Sequence, residues 1–250
     1  MTHLRKYFIR LIAVVAALLL PPVASAVPIL PEPFYTINLS MNSSRTFLSF
    51  SAPGSYTLGG ISTTATGFPS ALLTGHVVGD IGGNSVESII RYSFVVDGPL
   101  IGVPVPMFVT TSLHVSSSGS VNDGASARFS LFSDGRLSSP DLINMFVETG
   151  STHPSDFSGT LPFNLRSGQV GGVALQIDAR SFPGGISDAF ADPFIYIDPD
   201  FLSINPGYSV VVSAGIGNGA VVAVPEPATM LLFGTGIAGL VGIRLRRKKQ

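Results

Sequence analysis

The chain has 250 residues, 45% of them hydrophobic and 12% charged, with a net charge of −1; it is too apolar for a disordered chain and long enough for one or two domains. Its 14 cations are unevenly placed: Arg5, Lys6 and Arg10 lie at the amino end, Arg244, Arg246, Arg247, Lys248 and Lys249 at the carboxyl end, and the segment from Val27 to Pro227 holds six arginines against all 15 acidic residues, a net −9. Such a body repels polyanions, which argues against a nucleic-acid partner, and the lack of cysteine excludes disulfides, a thiolate nucleophile, cysteine-ligated zinc and a lipidated amino-terminal cysteine.

Residues 1–26 read as a secretory signal. Arg5, Lys6 and Arg10 form its cationic start, and Leu11–Leu20 is an unbroken apolar run, too short to span a bilayer. Pro21 and Pro22 break the helix, and Ala24-Ser25-Ala26 offers small side chains at Ala24 and Ala26, where a signal peptidase reads. Cleavage is expected after Ala26, which implies signal peptidase and the secretion machinery as partners.

From Val27 onward the sequence reads as β-structure. Short candidate strands come first, over Phe34–Leu39, Thr46–Phe50, Tyr56–Ile61 and Ala71–Val78. Ile90, Tyr92, Phe94 and Val96 then fall on every second position, as do Val109, Thr111, Leu113 and Val115. The same period holds for Ala127, Phe129 and Leu131, for Leu161, Phe163 and Leu165, and for Val173, Leu175, Ile177 and Ala179. A period of two marks strands with one face in a core and one in water. Asp97-Gly98, Asp123-Gly124, Asp134-Gly135 and Pro183-Gly184-Gly185 supply turns between them. Asp141–Val147, following Pro140, reads as one or two helical turns. Further strands are expected over Phe194–Ile197 and Tyr208–Ala214. About ten strands at short spacing predict an all-β fold, an antiparallel two-sheet β-sandwich of jelly-roll type. Pro104, Pro106 and Pro162 must then occupy edges or strand starts, because a central strand needs the missing N–H. The sandwich is expected over residues 27–217, with a linker at 218–224.

The body offers little that reads as catalysis. Gly185-Ile186-Ser187-Asp188-Ala189 comes nearest to a nucleophile elbow, but a strand follows where a helix should begin, so it reads as a surface turn. Asp188, Asp192, Asp198 and Asp200 cluster in sequence yet match no calcium-loop spacing and read as solvated loops. His76, His114 and His153 have no zinc spacing and suit exposed strands or loops. Glu87 and Glu148, with several aspartates, have the chemistry of a glycosidase pair, but most acids here sit in turns. Tryptophan is absent; Tyr35, Tyr56, Tyr92, Tyr196 and Tyr208 remain as material for a sugar-stacking surface. No metal or cofactor is implied.

The carboxyl end has its own logic. Residues 228–243 carry no charge, and as a helix they reach about 24 Å, just short of the roughly 30 Å hydrocarbon core. Arg244, Arg246, Arg247, Lys248 and Lys249, in the tail 244–250, can snorkel to recover part of the gap and favour the cytoplasmic side. The body then lies outside the inner membrane, as the amino-terminal signal also demands. Gly234, Ala238 and Gly242 share one helix face and permit close approach of a second membrane helix. The segment Gly234–Gly239 also spells GxGxxG, but no strand precedes it and the chain ends before the acidic partner a dinucleotide site requires.

Pro225-Glu226-Pro227, then the apolar run, then the cationic tail resembles the PEP-CTERM sorting signal of Gram-negative bacteria. The resemblance implies an exosortase, an integral-membrane cysteine protease, that reads Glu226 and its flanking prolines and cuts near them. Prolines hold such a segment extended, as a protease cleft requires. Ala191–Gly219 also resembles a stretch found just upstream of such tails, and reads as strand, turn, strand. The resemblance implies an exported surface or matrix protein associated with exopolysaccharide and biofilm. Export, the acidic body and the lack of a reactive constellation together predict a non-enzymatic protein, transiently anchored in the inner membrane and then released to the cell surface or outside. A carbohydrate-binding module is the alternative reading, and a secreted hydrolase a third.

Overall fold

Thirteen strands and one short helix account for the regular structure in a computed structural model that describes residues 29–42, 45–68, 70–119, 121–133, 141–149 and 154–218. In chain order the strands are β1 (Phe34–Met41), β2 (Thr46–Phe50), β3 (Gly54–Leu58), β4 (Ile61–Thr66), β5 (Leu72–Val78), β6 (Asn84–Asp97) and β7 (Pro104–Ser118). They continue as β8 (Gly124–Phe132), β9 (Asp141–Glu148), β10 (Asp156–Arg166), β11 (Val170–Ser181) and β12 (Ile186–Ile197), then helix α1 (Pro199–Ile204) and β13 (Ser209–Val212). The expected signal at 1–26, the membrane helix at 228–243 and the sorting segment lie outside the described residues. Among the described residues no helix is long and apolar enough to cross a membrane.

The strands form two antiparallel sheets. The larger runs β2-β1-β6-β11-β8-β9, with β13 also paired to β6; the smaller runs β10-β7-β12-β5-β4-β3. Within them, β5 to β12 are ordered 10-7-12-5 in one sheet and 6-11-8-9 in the other, the strand order of a jelly roll, in which the chain repeatedly crosses between two sheets. β1 pairs with β6 up to Arg91, and β13 takes over the same lane from Phe94 to Asp97.

The alternation read from the sequence supplies the core. Ile37, Leu39, Ile90, Phe94, Phe129, Leu131, Leu175 and Ile177 from the larger sheet are fully buried, as are Leu73, Val77, Met107, Val109 and Ile195 from the smaller. Each such side chain contributes roughly 1.5–3 kcal/mol through removal from water. A polar contact also crosses this core. Thr63 Oγ1 donates to the Thr74 carbonyl at 2.7 Å and lies 2.9 Å from Ser88 Oγ, joining β4 to β6.

Two expected elements differ. The helical turns at Asp141–Val147 are strand β9: Ile143, Met145 and Val147 face the core, and Arg128 of β8 lies over the ring of Phe146 at 5.1 Å. The free edge of β8 wins over local helix propensity, because pairing satisfies a whole strand of backbone groups. The candidate strand Tyr56–Ile61 is instead a hairpin, with Leu58 paired to Ile61 around Gly59, whose φ is 56°, a value that suits glycine.

The prolines sit where a missing N–H costs least. Pro162 is on the edge strand β10, and Pro104 and Pro106 open β7 before its pairing with β12 begins at Met107. Pro193 lies inside β12, but beyond Ala191, where pairing with β5 ends. Asn218 fills the lane that β5 leaves. Its side-chain oxygen accepts from the Ile195 N–H at 3.0 Å, and its amide donates to the Ile195 carbonyl at 2.5 Å.

Candidate functional site

Side chains of β12 that point away from the core alternate between acceptors and rings: Asp188, Phe190, Asp192, Phe194 and Tyr196, all partly exposed. Register then sets their neighbours. Tyr196 lies beside Phe108 of β7, Phe194 beside Thr110, Asp192 beside Ser112, and Phe190 beside His114. One strand further, β10 adds Pro162, Thr160, Ser158 and Asp156 to the same rows. The outer face of the smaller sheet is therefore an ordered array, with aromatic rings at one end and hydroxyls and carboxylates along its length.

Geometry holds these groups in place. The ring centroids of Phe194 and Tyr196 are 5.5 Å apart and inclined by 22°, and Tyr196 and Phe108 are 5.6 Å apart. Thr110 and Thr160 hydroxyls meet at 2.9 Å and those of Ser112 and Ser158 at 3.3 Å. His76 Nδ1 lies 2.6 Å from Asp188 Oδ1, and His114 Nδ1 bonds Asp156. The bond from His114 holds the Asp156 carboxyl below its ordinary range. Burial pushes the Asp192 carboxyl up, against a hydrogen bond from Ser70. The six strands of this sheet contain a single arginine, Arg166, at the end of β10.

This face corrects several expectations. The aspartates read as a solvated cluster do not converge: Asp188 and Asp192 are strand residues, and Asp198 caps α1 by accepting from the Asp200 N–H at 2.8 Å. Ten residues of strand separate Asp188 from Asp198, about 33 Å. Among the described residues no group of three or more His, Asp or Glu could hold a metal ion. Ser187 lies in β12 and not in a surface turn. It is buried, and its hydroxyl donates to the Arg180 carbonyl at 2.7 Å. Asp188 stands between His76 and Ser116, whose hydroxyl it accepts at 3.4 Å; a nucleophilic triad places the imidazole in the middle. His153 lies outside the described residues.

Of the tyrosines considered for sugar stacking, Tyr35, Tyr92 and Tyr208 are buried in the core. Burial also holds the Tyr92 phenol far above its usual range. Tyr56 stacks on Phe50 with centroids 3.9 Å apart. Tyr196 alone among the five joins the outer array, and its companions there are phenylalanines that the sequence reading passed over. The signal was present in the spacing of Phe190, Phe194 and Tyr196, but Ala189, Ala191, Ile195 and Ile197 between them are apolar too, so the strand alone does not say which side faces water.

The carboxylates weighed as a glycosidase pair lie on the outer face of the larger sheet. Glu87 is beside Asp178, and Ser126 separates Asp178 from Glu148. Asp178, Glu148 and Arg180 line a shallow depression of about 210 Å³. Burial pushes the Asp178 carboxyl up, Arg180 opposing and Glu87 adding to the shift. Glu87 is engaged by Asn38 at 3.1 Å and Gln176 at 3.4 Å.

No curated protein sequence is similar to the chain. Among solved structures, the chain is similar to TmCBM61 in complex with beta-1,4-galactotriose, at 10% identity over 59% of this chain and 88% of that one, with a TM-score of 0.25. It is also similar to a chain of broad bean stain virus, at 12% identity over 76% and 92%, TM-score 0.27, and to one of the cowpea mosaic virus top component, at 12% over 81% and 93%, TM-score 0.26. Residues 223–248 match the PEP-CTERM protein-sorting motif. Pro225-Glu226-Pro227, the uncharged run and the basic tail as far as Lys248 all fall inside that match, so the chain carries the sorting motif of PEP-CTERM proteins.

Proposed function

We propose that this protein is exported, held briefly in the inner membrane by residues 228–243, cut by an exosortase near Pro225-Glu226-Pro227, and delivered as a non-enzymatic component of the cell surface or exopolysaccharide matrix. The observation that carries the reading is the sorting motif at residues 223–248. The motif implies a membrane-transiting precursor and exosortase processing. The amino-terminal signal and the basic residues Arg244 to Lys249 support one orientation, with the sandwich outside and the tail in the cytoplasm. Within the sandwich, Ser187 faces inward and His76 and His114 each pair with their own aspartate, an arrangement that suits a binding or structural body better than nucleophilic catalysis.

Intact mass measurement of the protein from membrane and extracellular fractions tests this. The extracellular form should end near Pro227 and begin at Val27. Glu226→Ala, or removal of the host's exosortase, should leave the long form in the membrane fraction. Full-length protein outside the cell in normal yield would refute the reading.

A further inference from the structure

We propose that the outer face of the smaller sheet, centred on Phe194, Tyr196 and Phe108, binds a chain of linked hexopyranoses that carries no acidic groups. The ligand would be a matrix polysaccharide if the export reading is right, but the site itself stands on the sandwich alone.

Four aromatic side chains, Phe108, Phe190, Phe194 and Tyr196, point outward from β7 and β12, and none belongs to the core cluster or packs against it among the described residues. Phe194 and Tyr196 are stacked, nearly parallel with centroids 5.5 Å apart, and with Phe108, 5.6 Å from Tyr196, they form one continuous aromatic patch. Aromatic faces carry partial negative charge and attract the polarised C–H bonds on the apolar side of a pyranose. A sugar also presents hydroxyls around its rim, and these need partners when water is displaced. The face supplies them in register with the rings. Asp192 and Asp188 alternate with Phe194 and Phe190 along β12, and the paired hydroxyls of Thr110 and Thr160 and of Ser112 and Ser158 run alongside on β7 and β10. Carboxylates accept from hydroxyls in short, charge-assisted bonds. From Asp188 to Tyr196 the array extends about 26 Å along β12, the length of several linked hexoses.

Charge chooses among glycans. Asp156, Asp188 and Asp192 stand on this face, the first two each bonded to a histidine, and the sheet's one arginine, Arg166, lies past Pro162 on β10, where it donates to the Gly102 carbonyl. A polymer of uronic or sulfated sugars would bring further anions beside these three carboxylates. A neutral chain meets acceptors for its hydroxyls, and an amino-sugar chain meets opposite charge.

Binding of the full chain, purified in detergent micelles, to a cello-oligosaccharide hexamer, a chitosan hexamer and an oligogalacturonate hexamer tests the proposal by isothermal titration. The neutral hexamer, the amino hexamer or both should bind, and the uronate should not. Phe194→Ala and Tyr196→Ala should each weaken binding at least about fivefold, whereas Tyr196→Phe should stay within about twofold of the parent. Because removing a ring also touches the sheet, Asp192→Asn serves as a second probe, with an expected loss of about fivefold, and each variant's melting curve shows whether it is folded. Binding by the uronate alone, no binding by the other two hexamers, or full affinity in a folded Phe194→Ala/Tyr196→Ala variant would overturn the proposal. Failure here with normal processing at Pro225-Glu226-Pro227 would leave the export reading standing, and the reverse result would leave the site standing.

Discussion

Thr63 and Ser88 place two hydroxyls in the middle of the sandwich, 2% and 0% exposed. Because Thr63 Oγ1 donates to the Thr74 carbonyl, Ser88 is the donor in the 2.9 Å contact between them. Thr63→Val should cost about 1–3 kcal/mol, since Ser88 is then buried without an acceptor and the Thr74 carbonyl loses a donor. Thr63→Val with Ser88→Ala should cost less than the sum of the single changes, with a coupling of about 1 kcal/mol; urea unfolding of the four proteins measures it, and strict additivity would contradict the inter-sheet bond. Asp178 gives a test in pH. Burial holds its carboxyl above the ordinary 3.8, so the folded state binds the proton more tightly than the unfolded chain. Stability is then lost as pH rises from the unfolded value through the folded one. Asp178→Asn should raise the melting temperature at neutral pH and lose that advantage below pH 3.8. An equal gain at all pH values would point to packing instead.

At the scale of elements, β12 shows how one strand serves two partners unequally. It pairs with β7 along its full length but with β5 only as far as Ala191. Pro193 is tolerated because it falls past that limit, and the exposed backbone of Ile195 is closed by Asn218. Asn218→Ala should therefore expose the Ile195 N–H and carbonyl, lower stability by about 1–2 kcal/mol, and speed hydrogen exchange at the Ile195 amide while that of Val109, opposite on β7, changes little. Unchanged exchange at Ile195 would show that water replaces the side chain without loss. Much at this scale was legible in advance: the strands around Phe94, Leu113, Phe129 and Leu175 announce themselves by clean alternation. Strand β9 was not, because Pro140 and a run of mixed apolar residues suit a helix start, and only the vacant edge of β8 decides the matter. The hairpin at Gly59 and Gly60 was read through for a similar reason, since Tyr56, Leu58 and Ile61 are apolar on both sides of the turn.

For the whole molecule, the described core closes with Ile216, the last member of its buried cluster. Cutting near Pro227 therefore removes no side chain of the described core. The processed form, residues 27–227, should melt within about 2 °C of the full chain. A form ending at Gly207 loses Tyr208, β13, Ile216 and Asn218, and should melt well below both. Calorimetry distinguishes the outcomes, and equal melting of all three would show that the last strand adds nothing to the fold.

The sequence by itself determined the strand period, the two-sheet class, the acidic body between basic ends, and the sorting signal, because each of these is local: alternation, turn residues and a motif are read within a few positions. The tertiary structure decided which strands pair, and with that the outer face of the smaller sheet. Tyr196 meets Phe108, Phe194 meets Thr110, and Asp156 meets His114 only because β12, β7 and β10 lie side by side in antiparallel register. Backbone donors and acceptors are nearly alike in every strand, so partner choice depends on how all the inward side chains fill one core together, which no short stretch of the chain encodes.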